Sequence, residues 1–153
     1  MNKRRQRGAN LVEAALTLLV LFIFIFGIIE FGRIYNIYQA ITNAAREGAR
    51  FAVAPCPTLG GCSVAVGPGV LPPDAAIKDR VRLYLNSMAI RSPMVADGDI
   101  VITQINQPVN YGGGSVVNTT YTRVQITAHY QFLAFPFGNL PITSDAVMRN
   151  ETN

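Results

Sequence analysis

The sequence predicts an α+β protein, in which a long N-terminal helix packs on a small antiparallel β-sheet with one further helix. Three patterns support this. An apolar run occupies residues 14–29, and from there to Ala54 apolar residues recur every three or four positions. Alternation of apolar and polar residues appears only after Pro93. The chain has 153 residues, of which 50% are hydrophobic and 14% charged. These values exclude a large multidomain enzyme, a disordered tail and a nucleic-acid-binding arm.

The positive charge of the chain is concentrated in a basic leader, residues 1–8. The net charge is +4, and four of the 13 Lys and Arg residues lie before Gly8. The remainder of the chain is balanced, with nine basic and nine acidic residues. We therefore expect no nucleic-acid partner and interpret the leader as the cytoplasmic flank of a membrane segment.

Residues 9–30 are predicted to form the transmembrane part of the first helix. The apolar run from Ala14 to Ile29 gives about 24 Å of helix, and the residues before it extend the segment toward the roughly 30 Å of a bilayer core. A secretory signal would require small residues at a cleavage site after the run, but the sequence there is Glu30-Phe31-Gly32-Arg33. The segment therefore predicts a single-pass anchor in contact with lipid, with the N-terminus in the cytoplasm.

Residues 31–54 continue the helix as an amphipathic segment with a seam of small side chains. Two pairs of opposite charge stand three residues apart, Glu30 with Arg33 and Glu47 with Arg50, and each can pair on the helix surface. The helix from Ala9 to Ala54 would be roughly 68 Å long, far more than a bilayer requires. The residues of the predicted seam are Ile34, Ile37, Tyr38, Ile41, Ala44, Ala45, Gly48 and Ala52.

Residues 55–153 are predicted to form an exported α+β body. A second helix is expected from Asp74, which can either cap it or interact with its positive end, to Met88. Strands are expected at 100–105, 116–132 and 141–149. The predicted inner face of the helix consists of Ile77, Val81, Tyr84, Leu85 and Met88, and that of the central strand of Val124, Ile126, Ala128 and Tyr130.

The predicted body contains few residues that suggest a disulfide, a metal site or a catalytic site. Cys56 and Cys62 are expected to form a local disulfide if the body is exported, because two sulfurs without further Cys or His neighbours do not make a zinc site. Gly112-Gly113-Gly114 lacks the Lys-Ser/Thr of a phosphate loop and reads as a turn. His129 falls among solvent-facing residues with no nucleophile beside it. We predict no catalytic residue, metal or cofactor.

The start of the helix resembles the class III signal of type IV pilins and pseudopilins. Gly8-Ala9-Asn10-Leu11-Val12-Glu13 places a glycine after the basic leader and a carboxylate five residues beyond it. The resemblance implies that a prepilin peptidase cuts between Gly8 and Ala9 and that Glu13 sets the register of a subunit in a filament. Alternatively, Glu13 lies at the level of the lipid headgroups.

A narrower resemblance covers roughly residues 8–54. Gly27-Ile28-Ile29-Glu30-Phe31-Gly32-Arg33, followed by Ala44-Ala45-Arg46-Glu47-Gly48-Ala49-Arg50, is similar to the N-terminal region of TadE-like proteins, minor pseudopilins of tight-adherence (Tad or Flp) pilus systems. The resemblance implies a pilin-like fold, a part in pilus biogenesis and adhesion, and no enzymatic activity. It also implies three kinds of partner, namely the peptidase, other pilin subunits or copies of the chain, and the inner-membrane assembly platform.

Three functions are therefore compatible with the sequence. The first is a pseudopilin inserted in the inner membrane, processed after Gly8 and assembled into or priming a filament. The second is the main subunit of a pilin-like filament. The third is an uncleaved single-pass protein whose extracytoplasmic body binds a partner in the cell envelope.

Overall fold

The structure, a computed structural model, describes residues 3–54, 71–90, 93–110, 116–133 and 138–150. The elements in chain order are helix α1 (Lys3–Val53), helix α2 (Asp74–Ser87), a 3₁₀ turn (Asp97–Asp99), and strands β1 (Ile100–Asn110), β2 (Val116–Gln131) and β3 (Asn139–Arg149). The predicted α+β class is confirmed. The predicted disulfide between Cys56 and Cys62 and the glycine turn at 112–114 lie outside the described residues.

The three strands form one antiparallel sheet in the order β1-β2-β3. Ile126 at the centre of β2 is opposite Ile100 on one side and Ser144 on the other. Strand β1 continues five residues beyond the predicted end at 105. It includes Pro108, which an edge strand tolerates because only one side of its backbone is hydrogen-bonded.

The core lies where the C-terminal half of α1 crosses the sheet and α2. Small side chains on α1 allow a close approach to both, as the predicted seam implied. Tyr38 is an exception, since it is 47% exposed and lies outside the core. The side chains of α1 that are buried in the core are Ile37, Ala40, Ile41, Ala44, Ala45, Ala49 and Ala52.

Gly48 lies at a close contact between α1 and the body. A Cβ atom built on it would lie 2.5 Å from Val81 Cγ2 of α2 and 3.3 Å from Val124 Cγ1 of β2. Carbon atoms pack best at about 3.5–4.0 Å, so a side chain here requires its neighbours to move. Gly48 therefore permits the packing distance between α1 and the two elements it contacts.

Helix α2 packs through Ile77, Val81 and Leu85, as predicted. Met88 was expected on the same face but is 48% exposed, because the helix ends at Ser87 and the chain turns away at Ala89, whose φ is +60°. The expected cap by Asp74 is also not seen. The N-cap residue is Pro73 and makes no side-chain hydrogen bond, whereas Asp74 lies in the first turn, where its charge suits the helix dipole.

Candidate membrane and assembly segment

The N-terminal half of α1 is an apolar rod that the other described residues leave uncovered. Every side chain from Asn10 to Ile29 is exposed, and Leu11, Phe24 and Ile28 are exposed by 65% or more. By length and composition the helix can cross a membrane, with a mean hydropathy of 2.7 over its most apolar window, none of which is buried. Such a surface requires lipid or other helices around it.

The predicted cleavage site lies within the helix. The backbone of α1 is helical from Lys3 through Gly8 and Ala9, and a Cβ atom on Gly8 would have no neighbour within 4 Å. Cutting the predicted bond between Gly8 and Ala9 would require the helix to open locally. Glycine lowers the cost of unwinding, since glycine in a helix interior is about 1 kcal/mol less favourable than alanine.

Glu13 is exposed on the apolar rod, one turn after Ala9. Its backbone carbonyl accepts a hydrogen bond from Thr17 Oγ1 at 2.9 Å. A carboxylate at the centre of a membrane helix costs on the order of 2.5–3.5 kcal/mol on insertion scales; Glu13 lies near the start of the predicted span, where a partner of opposite charge would lower a smaller cost.

Glu30 lies where the exposed rod ends and the body begins. Its side chain is buried, with 8% of the residue exposed. The Tyr130 hydroxyl and the Leu133 backbone N–H donate hydrogen bonds to its carboxylate, and Arg33 Nη1 lies 3.2 Å from Oε2. The predicted helix pair of Glu30 and Arg33 thus forms part of a larger group that joins α1 to the end of β2.

Tyr130 holds its proton in this group. Burial and the hydrogen bond to Glu30 together raise the pKa of Tyr130 to about 12, against the opposing charge of Arg33. The Arg33 guanidinium also lies 5.2 Å from the centre of the Tyr130 ring. The neutral Tyr130 hydroxyl therefore donates a hydrogen bond to Glu30. The Tyr130 ring faces the Arg33 guanidinium, which neutralises the same carboxylate.

Glu47 is the centre of a second ion-pair group, between α1 and α2. It accepts hydrogen bonds from Arg50 Nε at 3.0 Å and from Arg80 Nη2 of α2 at 2.8 Å. Burial raises the pKa of the Glu47 carboxyl, but the hydrogen bonds and charges of the two arginines outweigh it, so the pKa is below its ordinary value. The predicted pair of Glu47 and Arg50 thus also includes a contact between the two helices.

Comparison with protein-family models gives a match within this segment. Residues 8–50 match the TadE-like protein family. The resemblance expected from the sequence is thereby confirmed over these residues, and it indicates a protein associated with the Tad pilus. Searches of curated proteins and of solved structures find no match.

The TadE-like match begins at the glycine that precedes the predicted cut and ends before the body. It includes Gly8, Glu13 and Glu30, and it extends past Glu47 to Arg50. The family segment therefore contains both the exposed rod and the half of α1 that packs on the sheet, and the β-strands lie outside it.

Sequence reasoning missed the body's contribution to the Glu30 group. Tyr130 was predicted only as an inward-facing residue of a strand, and Leu133 was not singled out. The available signal was that Tyr130 is the one polar-tipped aromatic on the buried face of β2, and a buried Tyr hydroxyl usually requires a partner.

His129 is less exposed than predicted and has a partner. Its Nε2 lies 3.1 Å from Asp99 Oδ1, and its backbone N–H donates to the Met94 carbonyl at 2.7 Å. The Ala96 backbone N–H, together with His129, holds the pKa of Asp99 below its usual range against a smaller opposing effect of burial. This pair fixes the segment before β1 to β2, which is a structural role.

Within the part of the chain that the structure describes, no group of three or more His, Cys, Asp or Glu side chains is arranged to hold a metal ion. The described side chains with perturbed pKa values, Glu47, Asp99 and Tyr130, each join two elements of the fold. The candidate site is therefore the exposed apolar rod, which is joined to the body through Glu30.

Proposed function

We propose that this TadE-like chain is a structural pseudopilin of a Tad (Flp) pilus. It is inserted in the inner membrane with its N-terminus in the cytoplasm, is cut after Gly8 by a prepilin peptidase, and is assembled into a filament or primes one. The proposal depends on one observation. Within residues 8–50, the first half of α1 is exposed and apolar, and the second half is packed against the body.

The same apolar surface suits both stages of such a cycle. In the membrane, lipid tails cover the rod between Asn10 and Ile29. In a filament, the helices of neighbouring subunits replace the lipid, so extraction from the bilayer does not expose the rod to water. Small residues on α1, such as Gly27 and Gly32, allow close helix approach.

Glu13 gives this packing a charge-based register. Cleavage after Gly8 creates an ammonium group on Ala9, about 6 Å along the helix from Glu13. In a low-dielectric environment each charge requires a partner, and the equivalent group of a neighbouring subunit can supply it. The partners of the chain are then other pilin subunits or its own copies, together with the assembly platform.

Intact-mass measurement tests the cleavage step. Protein from cells with the peptidase should lack the first eight residues, and protein from cells without it should retain them. A bulky substitution, Gly8→Leu, should block processing, whereas Gly32→Leu, at an exposed position on the same helix, should not. Full-length protein in cells with an active peptidase would contradict the proposal and favour an uncleaved membrane anchor.

Filament incorporation tests the register role. Glu13→Ala should insert into the membrane normally and be processed, but should be strongly depleted from sheared filaments. Asn10→Ala, which removes an exposed polar group from the same part of the rod, serves as the matched control and should be incorporated normally. Equal incorporation of the two variants would refute the role of Glu13.

Two finer points of the proposal have their own measurements. The ratio of this chain to other subunits in sheared filaments distinguishes a minor subunit, expected at a small fraction, from the main subunit. The disulfide between Cys56 and Cys62 should lower the intact mass by two hydrogens and prevent alkylation until a reductant is added. Alkylation without reductant would contradict it.

A further inference from the structure

Two grooves meet where α1 passes the end of β2. The lower groove has a volume of about 360 Å³, runs along α1 from Ile23 to Ile34 and is closed on the body side by Phe132. The upper groove has a volume of about 680 Å³ and is bordered by Arg33, His129 and Asn139. Phe132 lines both, so the two are parts of one continuous surface.

The lower groove lies at the depth of lipid acyl chains. Its helical wall includes Ile23, Phe26 and Gly27, which belong to the apolar rod. From Ile23 to Glu30 the helix rises about 10 Å, compared with roughly 15 Å for one leaflet of a 30 Å hydrocarbon core. The groove is therefore continuous with the surface that lipid covers under the proposed function, and its lining, which is apolar except for Glu30, suits an acyl chain.

The upper groove has the character of a headgroup site. Arg33 stands three residues beyond Glu30, and its side chain remains 40% exposed. One guanidinium nitrogen contacts Glu30, but a guanidinium has five N–H donors in a planar fork, and the others remain able to bind a phosphate. Leu133, which is 75% exposed, lies on the rim and adds an apolar contact at the membrane surface.

We propose that a phospholipid of the leaflet on the body's side occupies these grooves. One acyl chain lies against Ile23, Gly27 and Phe132, and the phosphate binds Arg33. The lipid thereby holds the end of β2 at the membrane surface. The proposal rests on the membrane insertion that is part of the proposed function, and it is independent of cleavage and filament assembly.

Two glycines of α1 provide a matched test of the acyl-chain site. A Cβ atom on either Gly27 or Gly32 would have nothing within 4 Å, so both positions accept a side chain without disturbing the fold. Gly27 lines the lower groove and Gly32 does not. Gly27→Leu should fill the groove, and Gly32→Leu should leave it open.

The measurement is native mass spectrometry of the full chain in a mild detergent, titrated with dioleoyl phosphatidylglycerol. We expect the wild type and Gly32→Leu to retain one lipid with equal affinity, and Gly27→Leu to bind about tenfold more weakly. Equal binding by all three proteins, or equal loss in both variants, would overturn the acyl-chain site.

The headgroup contact is tested with Arg33→Gln, and Arg46→Gln is the control because Arg46 is exposed elsewhere on α1. The wild type and the control should prefer phosphatidylglycerol to dioleoylglycerol, which has no phosphate, and Arg33→Gln should lose that preference. The same preference in Arg33→Gln would overturn the role of Arg33. Thermal unfolding of each variant verifies that the body remains folded.

Carbonate extraction of membranes separates a failure of this proposal from a failure of the proposed function. We expect the wild type to stay in the membrane fraction. Release by carbonate would refute membrane insertion and with it both proposals. Retention combined with unchanged lipid binding by Gly27→Leu would refute the lipid site alone.

Discussion

Gly48 offers the most direct test of how the long helix is fixed to the body. In Gly48→Ala the new methyl group would lie 2.5 Å from Val81 Cγ2 and 3.3 Å from Val124 Cγ1. Both valines are fully buried, so neither has space to move into. Overpacking of this kind costs about 1–3 kcal/mol, while alanine in place of glycine in a helix gains up to about 1 kcal/mol. We therefore expect a net loss of about 0–3 kcal/mol in the free energy of unfolding.

Gly32→Ala is the matched control for this prediction, because it gains the same helix propensity and its Cβ has nothing within 4 Å. It should stabilise the helix by up to about 1 kcal/mol. Denaturant unfolding of the full chain in micelles, followed by circular dichroism, measures both variants. Val81→Ala should cost less in the Gly48→Ala background than in the wild type, because it removes the clash. Equal stabilisation by the two glycine substitutions, or strict additivity with Val81→Ala, would refute the reasoning.

Three further predictions concern the ionisable groups of the body. Because the pKa of Tyr130 is raised to about 12, the folded state keeps a proton that the unfolded state loses above pH 10. The free energy of unfolding should therefore fall between about pH 10 and pH 12, by at most about 1.4 kcal/mol per pH unit. The variant Tyr130→Phe should lack this loss. An equal loss in that variant would show that Tyr130 is not its source. The lowered pKa of Asp99 stabilises the fold above about pH 4, and this contribution is lost as the pH falls through the folded-state pKa. In Asp99→Asn the free energy of unfolding should therefore fall less steeply as the pH is lowered below about 4. An unchanged pH dependence in this variant would contradict the role of Asp99. Arg80→Ala should cost about 0.5–1 kcal/mol by removing the contact to Glu47, and a double-mutant cycle with Glu47→Gln that gives no coupling would show that the contact is not stabilising.

The sequence predicted those elements whose periodicity is long and uninterrupted. The alternation of Val124, Ile126, Ala128 and Tyr130 placed the inner face of β2 correctly, since all four are buried. The apolar run likewise predicted the exposed rod, because no amphipathic pattern interrupts it. A regular repeat identifies the buried face of a helix or strand when the residues one repeat apart lie in the same environment.

The sequence did not predict contacts that depend on where distant segments meet. Glu30 could be paired with Arg33 from their spacing, but its bonds to Tyr130 and Leu133 join residues about 100 positions apart. The positions of Tyr38 and Met88 were also predicted wrongly. Both follow the helical repeat, but Met88 lies just beyond the end of α2 at Ser87, and Tyr38 is 47% exposed on α1.

No linker separates the membrane segment from the body, since α1 is one helix from Lys3 to Val53. The azimuth of the body about the helix axis is therefore set by the number of residues between Glu13 and Glu30. Inserting one residue there would turn the body by about 100° relative to the membrane-embedded face and raise it by about 1.5 Å, whereas seven residues would nearly restore the angle. In the proposed filament, the number of residues in the rod would thus determine which face of the body each neighbouring subunit meets.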